Sequence, residues 1–223
     1  MVIKEAKMVY TSNNSENNRC IEMISSEERR FLMEKEITRE EAFKLLKEYN
    51  QDESLIRHAL AVEAVMRHFA GLFGEDVEKW GIIGLIHDLD YERYPEEHCV
   101  KVKEILTERG WPEEYIHAVQ SHGWGICCEV EPVHRMEKVL YTIDELTGLI
   151  TAAALVRPSK SLLDLEVKSV KKKWKDKAFA AGVNREIIQK GAELMGMELS
   201  EIIKETIAGM RSIAAELGLN GNL

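Results

Sequence analysis

The chain has 223 residues with 39 acidic against 30 basic side chains, a net charge of -9, and its length suits one large domain or a domain with an appendage. A hydrophobic content of 45% with 31% charged residues excludes a low-complexity or disordered chain, and a pI near 5.4 excludes a general nucleic-acid binder while leaving room for a local phosphate-binding cluster. Apolar runs of only a few residues predict no membrane span and no signal peptide, and Cys20, Cys99, Cys127 and Cys128, without CxxC spacing, read as small buried hydrophobes of a cytoplasmic protein.

Residues 1–32 contain a polar tract, Thr11 to Asn18, and read as a leader outside the core; residues 33–218 read as one all-α domain. Thr38 stands three residues before Glu41, a capping-box spacing that opens the first helix. A second helix is predicted over 54–70, with His58 on its apolar side and Gly71 beyond its end. Residues 76–88, apolar almost all round, predict a buried central helix ending in His87-Asp88.

Pro95 predicts the start of a helix continuing to about Arg109, with His98 on its inner face. Trp111-Pro112-Glu113 repeats the signal for a short helix ending near His122-Gly123. A long helix over 134–156 carries Asp144 beside its apolar stripe. The lysine-rich stretch 159–182 predicts one or two short helices, followed by helices over 184–195 and 200–217. No internal repeat or second-domain linker is visible.

The chemistry-bearing set is His58, His87, Asp88, His98, His122 and Asp144, each near a helix end or on an inward face. Imidazole and carboxylate together suit divalent transition metals. A single inward histidine is more often a hydrogen-bonded core residue. Two buried carboxylates beside four histidines call for a cation, because each isolated buried charge costs several kcal/mol.

A His, then His-Asp, then Asp on successive helices resembles the signature of the HD-superfamily phosphohydrolases, carried here by His58, His87-Asp88 and Asp144 over about residues 54–156. The resemblance implies a metal-dependent hydrolase domain. By it, His58, His87, Asp88 and Asp144 hold a first metal, and Asp88 bridges to a second held by His98 and His122, the two being drawn from Fe, Mn, Zn, Co or Ni. It also implies a metal-activated water that attacks a small phosphorylated molecule or nucleotide. Asp88 then orients that nucleophile.

Three departures qualify the likeness. Gly123 stands where many two-metal relatives carry a further histidine, which predicts a weaker second site. Leu89-Asp90-Tyr91 replaces the frequent Gly-Lys after His-Asp. No Gly-Tyr-Pro element of the cyclic-dinucleotide phosphodiesterases is present.

Phosphate contacts are expected from Arg157, Lys160, Lys172 and Lys177 of the lysine-rich segment, with Arg57 and Arg93 as minor candidates, against the plainer reading of solvated side chains. Glu92, Glu96 and Glu97 are candidates for a partner to a ligand histidine, and His68, His117 and His134 read as structural or exposed. Two other functions stay open: a di-iron oxygenase of the same superfamily, and a catalytically silent binding module. Assembly of copies into a homo-oligomer is left open as well.

Overall fold

The computed structural model describes residues 37–221; the expected leader, 1–32, and Cys20 lie outside the described residues. Among the described residues the fold is helical, with nine α-helices, one short 3-10 helix and no named strand. None of these helices is long and apolar enough to cross a membrane.

Helix α1 (Arg39–Tyr49) begins at the Thr38 capping box, in which Thr38 Oγ1 accepts from the Glu41 N–H and Glu41 accepts from the Thr38 N–H. Helix α2 (Glu53–Phe73) runs through Gly71 and ends at Gly74, whose φ of 70° supplies the left-handed cap. The expected end near Ala70 is therefore too early. A glycine inside a helix costs only about 1 kcal/mol, whereas the terminating left-handed position is found at Gly74.

Helix α3 (Val77–Ile86) is buried from Trp80 onward. It lies very close to α2, since a Cβ at Gly84 would stand 2.9 Å from Met66 Cγ and 3.1 Å from the Val62 carbonyl. Only hydrogen at that position lets the two backbones approach.

Beyond the turn at 87–93, the single helix expected from Pro95 to Arg109 is broken. A 3-10 turn spans Pro95–Glu97, and α4 covers Lys101–Glu108. Cys99 between them has φ of 66°, which no right-handed helix accommodates. Asp90 fixes the break, because its Oδ2 accepts from the Val102 N–H at 2.8 Å at the start of α4.

Helix α5 (Glu113–Ser121) follows Pro112, and α6 (Arg135–Leu155) starts at His134, whose ring nitrogen accepts from the Met136 N–H. Helices α7 (Val167–Trp174), α8 (Arg185–Met195) and α9 (Leu199–Arg211) complete the chain order. The two longest helices, α2 and α6, pack together at the centre; α3 covers α2, α8 covers α6, and α9 touches both. A single apolar core runs through them, with Val62, Val65, Met66, Phe69, Ile83, Ile86, Leu140, Ile143 and Ile150 fully enclosed. Each such side chain contributes about 1.5–3 kcal/mol.

Glu63, buried on α2, accepts from Arg39 at 2.6 Å and Arg67 at 2.9 Å, so its charge is met inside the fold.

Candidate metal centre

The turn after α3 carries the first candidate ligands. Leu89 N–H donates to the Ile86 carbonyl and Tyr91 N–H to that of Asp88, and buried Asn50 donates from Nδ2 to the Leu89 carbonyl at 3.0 Å. The His87-Asp88 pair is thus set at a pinned helix end. α2 brings His58 and α6 brings Asp144 to the same point.

His58 Nε2 lies 3.2 Å from His87 Nε2, 2.9 Å from Asp144 Oδ1 and 3.6 Å from Asp88 Oδ2; His87 Nε2 lies 3.3 Å from Asp144 Oδ1 and 3.4 Å from Asp88 Oδ2. The other carboxylate oxygen of Asp88 faces a second group. Asp88 Oδ1 is 3.4 Å from both His98 Nε2 and His122 Nε2, which are 3.1 Å from one another. Both groups are compact enough for each to surround one ion.

Ligand atoms held about 2.1 Å from a common metal stand roughly 3.0–3.4 Å apart in octahedral or tetrahedral arrangement. The spacings, 2.9–3.6 Å in the first group and 3.1–3.4 Å in the second, centre on that range.

The far side of every imidazole is occupied too. His87 Nδ1 sits 2.8 Å from the Gly84 carbonyl and His122 Nδ1 meets the Val119 carbonyl, so both Nδ1 atoms donate. His98 Nδ1 is 2.7 Å from Asp90 Oδ1, and His58 Nδ1 is 3.4 Å from Thr147 Oγ1, whose proton goes to the Asp144 carbonyl at 2.7 Å. With Nδ1 donating outward, loss of the second proton leaves an Nε2 lone pair directed towards each group, the tautomer a metal requires.

Charge in the cluster is mutual. Burial works against protonation of His87, yet the Asp88 charge and hydrogen bonds to Asp144 and Asp88 hold it well above the usual imidazole range. Burial likewise opposes ionisation of Asp88 and Asp144, and the facing imidazoles overcome it, holding both carboxyls far below their ordinary range. His122 is raised against burial by its hydrogen bond to Asp88. Such an electron-rich set attracts protons or a metal cation in their place.

His87 and His122 are shut away from solvent, while the side chains of His58, Asp144 and Asp88 keep 26%, 21% and 17% of their surface exposed. Solvent therefore touches the centre mainly at His58 and Asp144.

The basic residues expected to meet phosphate are exposed or engaged with other partners. Arg57 is exposed, 3.8 Å from Glu53, and Arg93 donates to the Glu48 carbonyl and stacks on Tyr49. Arg157 is engaged by Asp164 at 2.6 Å and by Ser169. Lys160 and Lys172 are exposed. Lys177 lines a groove of about 1040 Å³ with Trp174, Lys175, Asn184, Arg185 and Lys190.

That groove adjoins the α6 turn that carries Asp144. Asn184 N–H donates to Glu145 Oε2 at 2.9 Å, and Val183 lies 3.6 Å from where a Cβ of Gly148 would stand, one turn beyond Asp144 on the same face. Burial, foremost, raises the Glu145 carboxyl above its ordinary range. Lys190 Nζ rests 3.2 Å above the Trp124 ring, two residues past His122.

Asp90 is the partner of His98 that the sequence reading missed. Glu92 instead accepts from the Gln51 and Asp52 N–H groups before α2, and Glu96 and Glu97 are exposed. The signal available was an acid two residues after Asp88, together with the need of any ligating histidine for an outer acceptor. His68 and His117 pair with Glu205 and Glu137 away from the centre.

Of the three described cysteines only Cys99 is buried as expected, Cys128 being partly buried. Cys127 is exposed, and it and Cys99 reach the same point beside the second group. No curated protein and no solved structure matched the chain. The family model described as HD domain matches residues 55–168, slightly more than half the chain and the span holding all six converging residues. The chain belongs to the HD domain family, most of whose members are metal-dependent hydrolases.

Proposed function

We propose that the protein is a two-metal phosphohydrolase acting on a small phosphorylated molecule or nucleotide. The observation that carries this reading is the division of Asp88, one oxygen turned to His58, His87 and Asp144 and the other to His98 and His122. A carboxylate so shared would hold two cations close together, an arrangement that supports in-line displacement at phosphorus. Divalent cations bound there lower the pKa of a water and neutralise charge on the phosphoryl oxygens.

The chain's own contributions follow from its geometry. Asp88 and Asp144 supply anionic donors, Asp90 and Thr147 hold two imidazoles in register, and the exposed His58 edge admits the ligand. Lys177, Lys175 and Lys190 in the adjoining groove provide cationic groups for a second anionic part of a substrate. Lys177 thereby stands ahead of Arg157, whose guanidinium is engaged by Asp164.

The test is elemental analysis of anaerobically purified protein followed by a phosphomonoester and phosphodiester panel under nitrogen. About two metals per chain and oxygen-independent release of phosphate, both lost in Asp88→Ala, are expected. Turnover that requires dioxygen would overturn the reading in favour of an oxygenase. Failure to turn over any member of the panel in the metal-loaded protein would leave the binding-module reading ahead. Lys177→Ala should raise KM roughly 10-fold with little change in kcat if it binds substrate uniformly.

A further inference from the structure

We propose that Cys99 and Cys127 form a reversible thiol–disulfide pair whose closure loosens the second metal position. The crosslink stands by itself; its effect on a metal rests on the two-metal reading above.

The two sulfurs are 3.1 Å apart, inside ordinary sulfur contact, although 28 residues separate them in sequence. Cys99 directly follows His98, and Cys127 lies in the loop directly after His122. The bond would therefore join the two segments that carry the second group. Each side is held in place before any bond forms. Cys99 keeps the strained left-handed backbone with its carbonyl fixed by Gln120 Nε2 at 2.8 Å. The Cys127 loop is wound on the Gly123 carbonyl, which accepts from the N–H groups of Ile126, Cys127 and Cys128 at 3.0–3.2 Å.

Gly123 is the third observation. A Cβ there would sit 2.4 Å from Cys127 Sγ and 2.5 Å from Cys99 Sγ. The backbone at Gly123 does not need a glycine for its own conformation, so the pair of sulfurs occupies the space that a side chain would take. Cys127 is exposed and meets solutes, whereas Cys99 is buried behind it, the arrangement of an attacking and a resolving thiol.

With a low-molecular-weight disulfide as oxidant, Cys127 thiolate attacks one of its sulfurs and releases one thiolate, leaving a mixed disulfide. Cys99 thiolate then attacks Cys127 Sγ and releases the second. Two protein thiols lose two electrons and two protons, and the oxidant leaves as two thiols. Closure from 3.1 Å to about 2.05 Å draws the sulfurs together by roughly 1 Å. Cys99 directly follows His98 in the chain, so the part of that movement taken up on the Cys99 side shifts a residue of the second group. Thiol pairs of this kind in a reducing compartment are usually transient and redox-sensing.

The experiment uses the full chain carrying Cys20→Ser, loaded with manganese and equilibrated with oxidised glutathione. Intact mass and peptide mapping are expected to show loss of two hydrogens, a bond between the Cys99 and Cys127 peptides, and full reversal by dithiothreitol. The bond should survive Cys128→Ser and vanish in Cys127→Ser and in Gly123→Ala, with circular dichroism reporting the fold of each. Bound manganese should fall from about two per chain to about one on oxidation, and return on reduction. A Cys127–Cys128 bond, stable glutathione adducts alone, or zinc released from the thiols on alkylation would overturn the pair. A crosslink that leaves two manganese ions bound would overturn its effect on the second position. Fewer than two ions in the reduced protein would instead count against the two-metal reading, with the mapped crosslink unaffected.

Discussion

The two candidate ligand groups meet at Asp88 but are built differently. His58 and Asp144 project from the long central helices α2 and α6, and His87 closes α3, so the first group is part of the core packing. His98 lies in the break before α4 and His122 at the end of α5, braced by Asp90, a backbone carbonyl and a loop of cysteines. Displacing the first group means displacing helices of the core. The second can respond to a local change, since short segments and side-chain partners hold it.

Replacing the shared residue should erase the distinction. In Asp88→Ala both positions lose a donor, and affinity at each should fall by more than the roughly 10–100-fold that removal of an outer partner costs. Metal titration by calorimetry measures it, and retention of two tight sites would end the bridging assignment.

Asp90→Asn should separate the positions. With the charged acceptor at His98 Nδ1 gone, second-position affinity should drop about 10–100-fold while the first stays unchanged. An equal loss at both would mean the groups are not independently braced. Thr147→Val removes a neutral partner of His58 and should weaken only the first position, by about 10-fold at most, as the low end of that range for a 3.4 Å contact.

The smallest effect is expected at the start of α6. His134→Ala deletes a ring that caps the helix and should lower stability by about 1 kcal/mol in denaturant unfolding, with both metal affinities unchanged because Asp144 lies more than two turns on. A change in first-position affinity would show that the core helices transmit strain after all.

Much of this architecture is legible in local patterns. Thr38 with Glu41, Pro112 before α5, and the apolar run before His87 mark helix ends through short-range capping and periodicity. The break at Cys99 was not legible, because Pro95 and the apolar spacing from Val102 favour a continuous helix. It takes Asp90, reaching Val102 and His98 from across the turn, to hold the left-handed residue. The six converging residues could be picked out as inward-facing histidines and acids. That Asp88 divides its oxygens between two groups depends on how α2, α3, α5 and α6 pack.

By itself, the sequence determined the helical class, most helix starts and the residue types of the centre, since these follow from neighbours a few positions apart. Only the tertiary structure decided which oxygen faces which group, that Asp90 rather than a following glutamate braces His98, and that Cys99 and Cys127 meet beside Gly123. Those relations join residues brought together by core packing, and no local periodicity encodes the distance between them.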